Sequence, residues 1–226
     1  MHMLNKNIWI IANWKSHKNV AEALEWVGLV GPSIPDHDNL KVAVCAPFSD
    51  LTEIKKAVRI GGFRLLVGCQ DLSPFPEGAY TGEETASILR EVVELAILGH
   101  SERRRDFAET DDLVREKVAQ ARQSNIMPLV CVQSADTPIP EGVKLVAYEP
   151  IFAIGTGKPD TPASANEVAS KLKSKYGEDL EVLYGGSLTA DNVGAFLAQE
   201  QISGLLIGGD SLKAEDFIEI LDVVGG

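Results

Sequence analysis

The chain has 226 residues, 45% of them apolar, and a formal net charge of -12 from 21 Lys and Arg against 33 Asp and Glu. That length holds one barrel-sized domain or two small ones, and the apolar fraction is enough for a large core. The acidic balance argues against nucleic-acid and anionic-membrane partners, which require a basic surface, but leaves room for a small anion held by local fields.

In chain order, apolar β-rich runs alternate with helix punctuation. IWIIAN (8–13) comes first; Asn19 and Glu22 after it have capping-box spacing, in which the first side chain accepts a free backbone N–H and the glutamate bonds back to the cap. KVAVCA (41–46) follows, with Ser49 placed to cap the next helix in the simpler way. RLLVGC (64–69) is third; beyond it Thr81 and Glu84 repeat the capping-box spacing, and Ala86, Leu89 and Val93 fall on one helical stripe. LAILG (95–99) runs to His100 and SERRRDF, which suits a helix start, and Thr110 is a further cap. MPLVCV (127–132) and LVAYE (145–149) are the fifth and sixth runs. Thr161, Pro162 and Gly177 then fit N-cap, first turn and C-terminal stop around ASANEVASKLKSKY, whose lysines meet the negative end of the helix dipole. EVLYG (181–185) and GLLIG (204–208) complete eight runs.

Continuously apolar runs suit parallel strands buried on both faces. Eight of them alternating with helices predict an α/β fold, a (β/α)8 barrel spanning residues 1–226 as one domain, with its chemistry on the rim at the strand C-termini. A doubly wound open sheet is the competing architecture. Between the fifth and sixth runs lie only QSADTPIPEGVK (133–144), with Pro138, Pro140 and Gly142 inside. The helix there is expected to be missing and replaced by an extended loop, leaving strand flanks to be covered by that loop, by neighbouring helices or by a partner chain. Cys45, Cys69 and Cys131 are widely spaced, so neither a disulfide framework nor a metal site is expected, and a reducing cytoplasm fits best. MHMLNKNIWII lacks a signal-peptide cleavage pattern, and no apolar run reaches the ~18 residues of a membrane span.

The strand ends carry a coherent polar set: ANWKSH, GHSERR, YEP, YGGS and IGGDS. They supply an amide (Asn13), an ammonium (Lys15), an imidazole (His100) and a carboxylate (Glu149), together with glycine turns whose N–H groups suit an oxyanion. Gly155, Ser187, Gly208 and Gly209 are the candidates for gripping a phosphoryl group, with Lys15 adding a full charge. A glutamate beside an imidazole, an ammonium and an amide can move a proton next to a carbonyl and stabilise the resulting oxyanion, which is isomerase chemistry.

ANWK, GHSERR, AYEP, AIGTGK, YGGS and the GG after the last strand (Gly208-Gly209) closely resemble the triosephosphate isomerase family, in that family's order and over nearly the whole chain. The resemblance implies that Glu149 removes and returns the carbon-bound proton of dihydroxyacetone phosphate or glyceraldehyde 3-phosphate. It makes His100 the electrophile toward the enediolate oxygens, in the neutral form known for this family and kept neutral by a helix N-terminus, assisted by Lys15 and Asn13. Ser101 and Glu102 would support it, and no cofactor is called for. Pro150, Ile151, Phe152, Ala153, Ile154, Gly155, Thr156, Gly157 and Lys158 resemble the family's closing lid, with the Gly155 N–H meeting the phosphate when shut. CQDLSPFPEGAYTGEE (69–84) resembles the loop that inserts into a neighbouring subunit, which places Thr81 near Asn13 and Glu83 against Arg103 of the other chain, and its apolar Pro74-Phe75-Pro76 favours an interface. A homodimer, possibly a tetramer, is expected.

Four departures from the family pattern stand out. Phe152 takes the usual place of tryptophan, Asp210 that of a small neutral residue, Gln133 and Ser134 those of a glycine and an acid, and the helix after the fifth strand is missing. A different phosphate-binding barrel isomerase and a non-catalytic barrel kept for assembly stay open as alternatives. The first would usually carry another acid–base pair, and the second is expected to lose Glu149 or Lys15.

Overall fold

The computed structural model describes residues 6–153 and 159–225. Eight parallel strands close on themselves in sequence order: β1 (Ile8–Asn13), β2 (Leu40–Ala46), β3 (Leu65–Cys69), β4 (Leu95–Leu98), β5 (Met127–Val132), β6 (Leu145–Tyr148), β7 (Glu181–Gly186) and β8 (Ile202–Ile207). β1 pairs with both β2 and β8, which excludes the open sheet.

The apolar runs are continuous because each strand is buried on both sides. Trp9, Ile11, Leu129, Cys131, Leu145 and Leu183 fill the barrel interior, whereas their neighbours Ile10, Ala12, Val130 and Val146 pack outward under the helices. Where β8 passes β1 the fit permits only glycine. A Cβ on Gly204, whose φ is +155°, would stand 2.1 Å from the Trp9 carbonyl oxygen.

Around the barrel run α1 (Val20–Val30), α2 (Leu51–Gly61), α3 (Ala86–Leu89), α4 (Ser101–Asp106), α5 (Asp111–Gln123), α6 (Pro162–Tyr176), α7 (Ala190–Leu197) and α8 (Ala214–Gly225). The Asn19–Glu22 capping box opens α1, Thr110 caps α5 through the Leu113 N–H, and Thr161 caps α6 through the Ser164 N–H. Gly177 ends α6 as expected, at φ 120°.

Two local expectations fail. Thr81 and Glu84 form no capping box: the chain there turns, with Glu83 N–H donating to Tyr80, and α3 starts only after Thr85. Only four residues then become helical because Glu94 is already hydrogen-bonded to Val67 of β3, at 2.8 Å, at the entry to β4. Ser49 does not cap α2 either, since the N-cap position falls on Asp50 and the Ser49 hydroxyl donates to the Asp50 carboxylate at 2.9 Å.

Among the described residues no helix joins β5 to β6. The loop itself covers the flank. Ile139 and Val143 are buried against the outer core, each contributing about 1.5–3 kcal/mol of apolar burial. Polar ties hold the rest: Thr137 Oγ1 accepts the N–H groups of Gln133 and Ser134, the Ile139 N–H donates to the Tyr176 hydroxyl, and Arg122 donates to the Glu141 carbonyl. No helix among the described residues is long and apolar enough to cross a membrane.

Candidate active site

The C-terminal rim brings the four predicted side chains around one cavity of about 460 Å³. Asn13 closes β1 and is buried; its Oδ1 accepts the Lys15 N–H at 3.1 Å. That bond helps hold Lys15 at φ 54°, a left-handed conformation costly for a residue with a side chain. Gln70 completes the clamp, its amide donating to the Lys15 carbonyl at 2.8 Å and to Cys45 at 3.0 Å. Lys15 Nζ is ion-paired with Glu102.

His100 sits at the N-cap of α4, and its Nδ1 accepts the Glu102 N–H at 3.2 Å. The neutral ring therefore carries its proton on Nε2, which lies 3.0 Å from Glu149 Oε1. Burial favours neutral His100, but the charges of Glu149 and Glu102 outweigh it and hold the pKa above the ordinary imidazole value, against Lys15.

Glu149 directly follows β6 and is 2% exposed. Its Oε2 accepts the Ser101 N–H at 2.9 Å, so Ser101 contributes its backbone and not its hydroxyl. Burial alone would raise the Glu149 pKa; His100, the Ser101 N–H and the Cys131 thiol override it and leave the carboxyl below its usual value. Gly185 makes room, since a Cβ there would stand 3.2 Å from Glu149 Cγ. A buried carboxylate kept ionised beside an imidazole N–H donor is an arrangement suited to proton transfer beside a carbonyl.

Ser187, Gly208 and Gly209 line the same cavity, the last opening the single turn Gly209–Ser211. Lys15 packs against Gly208, where a Cβ would stand 3.6 Å from Lys15 Cε. Of the predicted lid, Pro150 is buried and Ile151 and Phe152 are exposed at 71% and 63%. Ile154, Gly155, Thr156, Gly157 and Lys158 lie outside the described residues, and of Ala153 only the backbone is described. Beyond residue 158, Asp160 N–H donates to the Tyr184 hydroxyl at 2.8 Å and its carboxylate accepts from Ser164, anchoring the chain as α6 begins.

Phe75, Thr81 and Glu83 lie exposed on the loop after β3, whose neck is closed by a Ser73–Glu84 backbone bond of 2.9 Å. Arg103 is engaged within its own chain, with Asp71 at 2.7 Å and Glu109 at 3.1 Å. Lys117 joins the same two carboxylates, both at 2.6 Å, in a balanced group of two cations and two anions. Neither this network nor the Gln70 clamp is visible in the sequence, because each joins residues far apart in the chain through ordinary-looking side chains.

A parallel barrel whose rim sets an ionised carboxylate against an imidazole, beside a lysine and glycine turns, falls in the class of barrel isomerases acting on anionic substrates. The family model described as triosephosphate isomerase matches residues 8–224. A triosephosphate isomerase of Caldanaerobacter subterraneus subsp. tengcongensis is 37% identical over 94% of this chain and 98% of its own length; that of Clostridium botulinum is 39% identical with the same coverage. The crystal structure of the Bartonella henselae triosephosphate isomerase superposes with a TM-score of 0.84 at 29% identity, covering 97% of this chain and 100% of the other. The chain belongs to the triosephosphate isomerase family, the isomerases that interconvert triose phosphates. The two sequence alignments run over 245 positions, more than the 226 residues of this chain, so the relatives carry segments that it lacks. The helix-free crossover after β5 is one place where such a loss fits the fold.

Proposed function

We propose that the chain interconverts dihydroxyacetone phosphate and D-glyceraldehyde 3-phosphate, the step shared by glycolysis and gluconeogenesis, with Glu149 as the base. The observation that carries this is the contact of Glu149 Oε1 with His100 Nε2, at 3.0 Å, on a rim shared with Lys15 and Asn13. Glu149 leaves His100 for the substrate, takes the proton from one carbon and returns it to the adjacent one, while the hydroxyl proton passes from the oxygen of the first carbon to that of the second. His100 then has lost the larger of the two charges that raise its pKa and keeps the Glu102 N–H on Nδ1, so it serves as a neutral Nε2–H donor to the enediolate oxygens. Lys15 and Asn13 stabilise the same developing charge; Glu102 holds His100 through its N–H and Lys15 through its carboxylate, and the Ser101 N–H holds Glu149. The phosphate is gripped by Ser187, Gly208, Gly209 and the Gly155 N–H, and residues 150–158 close over it to exclude water. The Gln133 amide, buried and without a partner among the described residues, is a donor for that lid.

The working unit in this proposal is a homodimer in the cytoplasm, where the three buried thiols stay reduced. Phe75 and Tyr80 stack at 4.5 Å as an exposed aromatic knob, and a hollow of about 230 Å³ lined by Ser16, Phe48, Gln70 and Phe107 opens beside Lys15. Knob and hollow on one chain suit a two-fold interface in which each fills the other's. Light scattering of the purified protein at micromolar concentration is expected to give the dimer mass, or a multiple of it; a monomer at that concentration would refute the assembly. For the reaction, a coupled assay starting from either triose phosphate should show conversion to the other, and no turnover in either direction would overturn the assignment.

A further inference from the structure

The phosphate end of the cavity carries a charge of the unexpected sign. Asp210 stands in the Gly209–Ser211 turn and lines the cavity with Lys15, Ser187, Gly208 and Gly209. Its carboxylate has no hydrogen bond among the described residues. Of its charged neighbours at the start of α8, Lys213 Nζ lies 3.9 Å from the Asp216 carboxylate, and Asp216 itself repels Asp210. Burial first, then Asp216, raise the Asp210 pKa above the usual carboxyl value, with Lys213 opposing. Across the cavity Lys15 is already paired with Glu102, His100 with Glu149, and α7 adds Asp191 in its first turn. A dianion entering this end therefore meets, among the described residues, a committed ammonium, the Gly208–Gly209 backbone and a carboxylate without a hydrogen bond or ion pair.

We propose that Asp210 sets the charge selectivity of the phosphate end: its ionised carboxylate opposes a bound dianion, and a dianion that does bind draws a proton onto it. The inference rests on the reading that phosphate lies against Ser187, Gly208 and Gly209. The sign follows from linkage. A neighbouring dianion raises the Asp210 pKa further, so binding takes up a proton and affinity grows as pH falls through that carboxyl's range. A unit charge beside a bound dianion, in the screened dielectric of a partly open cavity, is worth about 3–10-fold in affinity.

Sulfate is the probe, because it stays a dianion where phosphate itself gains a proton. Its competitive inhibition constant would be measured from pH 5 to pH 8 in the wild type and in Asp210→Asn, with Asp210→Ala repeating the comparison without a side-chain amide. At pH 7 both variants are expected to bind sulfate about 3–10-fold more tightly, and the difference should shrink as pH falls. Glu149 and His100 titrate in all three proteins and cancel from the ratio. Equal constants at pH 7, or a ratio that does not move with pH, would overturn the role of Asp210 alone. Sulfate failing to inhibit any of the three would bring down the phosphate assignment beneath it, and the inference with it.

Discussion

Glu149→Gln is expected to lower kcat by about 10²–10⁴-fold, the range that a positioned general base contributes. Glutamine keeps the size of the side chain, which matters at a position 2% exposed, and its carbonyl oxygen can still accept the Ser101 N–H. What it loses is the proton-accepting charge. Glu149→Asp tests the complementary point. Aspartate keeps the charge but draws the carboxylate back by one methylene, and a misplacement of about 1 Å costs on the order of 10²-fold. Both variants should leave KM close to the wild-type value, because the phosphate grip is untouched, so the loss belongs in kcat. Steady-state kinetics in the coupled assay, with thermal melts as a control for folding, gives the answer. Wild-type kcat in Glu149→Gln would remove Glu149 from the chemistry.

The convergence of Glu149 and His100 is readable in the sequence for a physical reason: in a parallel barrel every strand ends at the same rim, so AN, GH and YE at strand ends must meet whatever the helices do. The strands themselves are legible because burial on both faces erases the alternation that a half-wet strand would show. Helix caps are less secure. Asn19–Glu22 and Thr81–Glu84 have the same spacing, but only the first has eleven helical residues after it to repay the cap; the second is cut short by the approach of β4. The packing of residues 133–144 is not readable at all. Prolines and a glycine announce a loop, yet which of its side chains go inside is decided by the space left where no helix lies, and Ile139 and Val143 fill it. The Gln70 clamp is hidden for a related reason. Its two bonds go to backbone carbonyls 55 and 25 residues away, and a backbone carbonyl has no sequence signature.

Lys15→Ala is expected to lower kcat/KM by about 10²–10³-fold or more, the effect of removing one charged donor from a site of developing negative charge. The left-handed backbone at φ 54° does not confound this variant, since alanine and lysine carry a similar penalty there and the Asn13 and Gln70 bonds reach only the Lys15 backbone. Lys15→Arg should not restore activity. A planar fork cannot take the place of a compact ammonium packed against Gly208 and paired with Glu102. Part of the loss in Lys15→Ala is expected to come from Glu102, left unpaired beside His100 Nδ1 at 3.7 Å, where its charge repels an anionic substrate. The double variant Lys15→Ala/Glu102→Gln separates the two contributions. If the freed carboxylate matters, the double variant recovers several-fold in kcat/KM over the single one, and the recovery shrinks with added salt as screening weakens the repulsion. A single variant that retains wild-type kcat/KM would show that the ammonium takes no part in binding or turnover. A double variant no better than the single one would leave Lys15 acting on the substrate alone, with Glu102 only holding it in place.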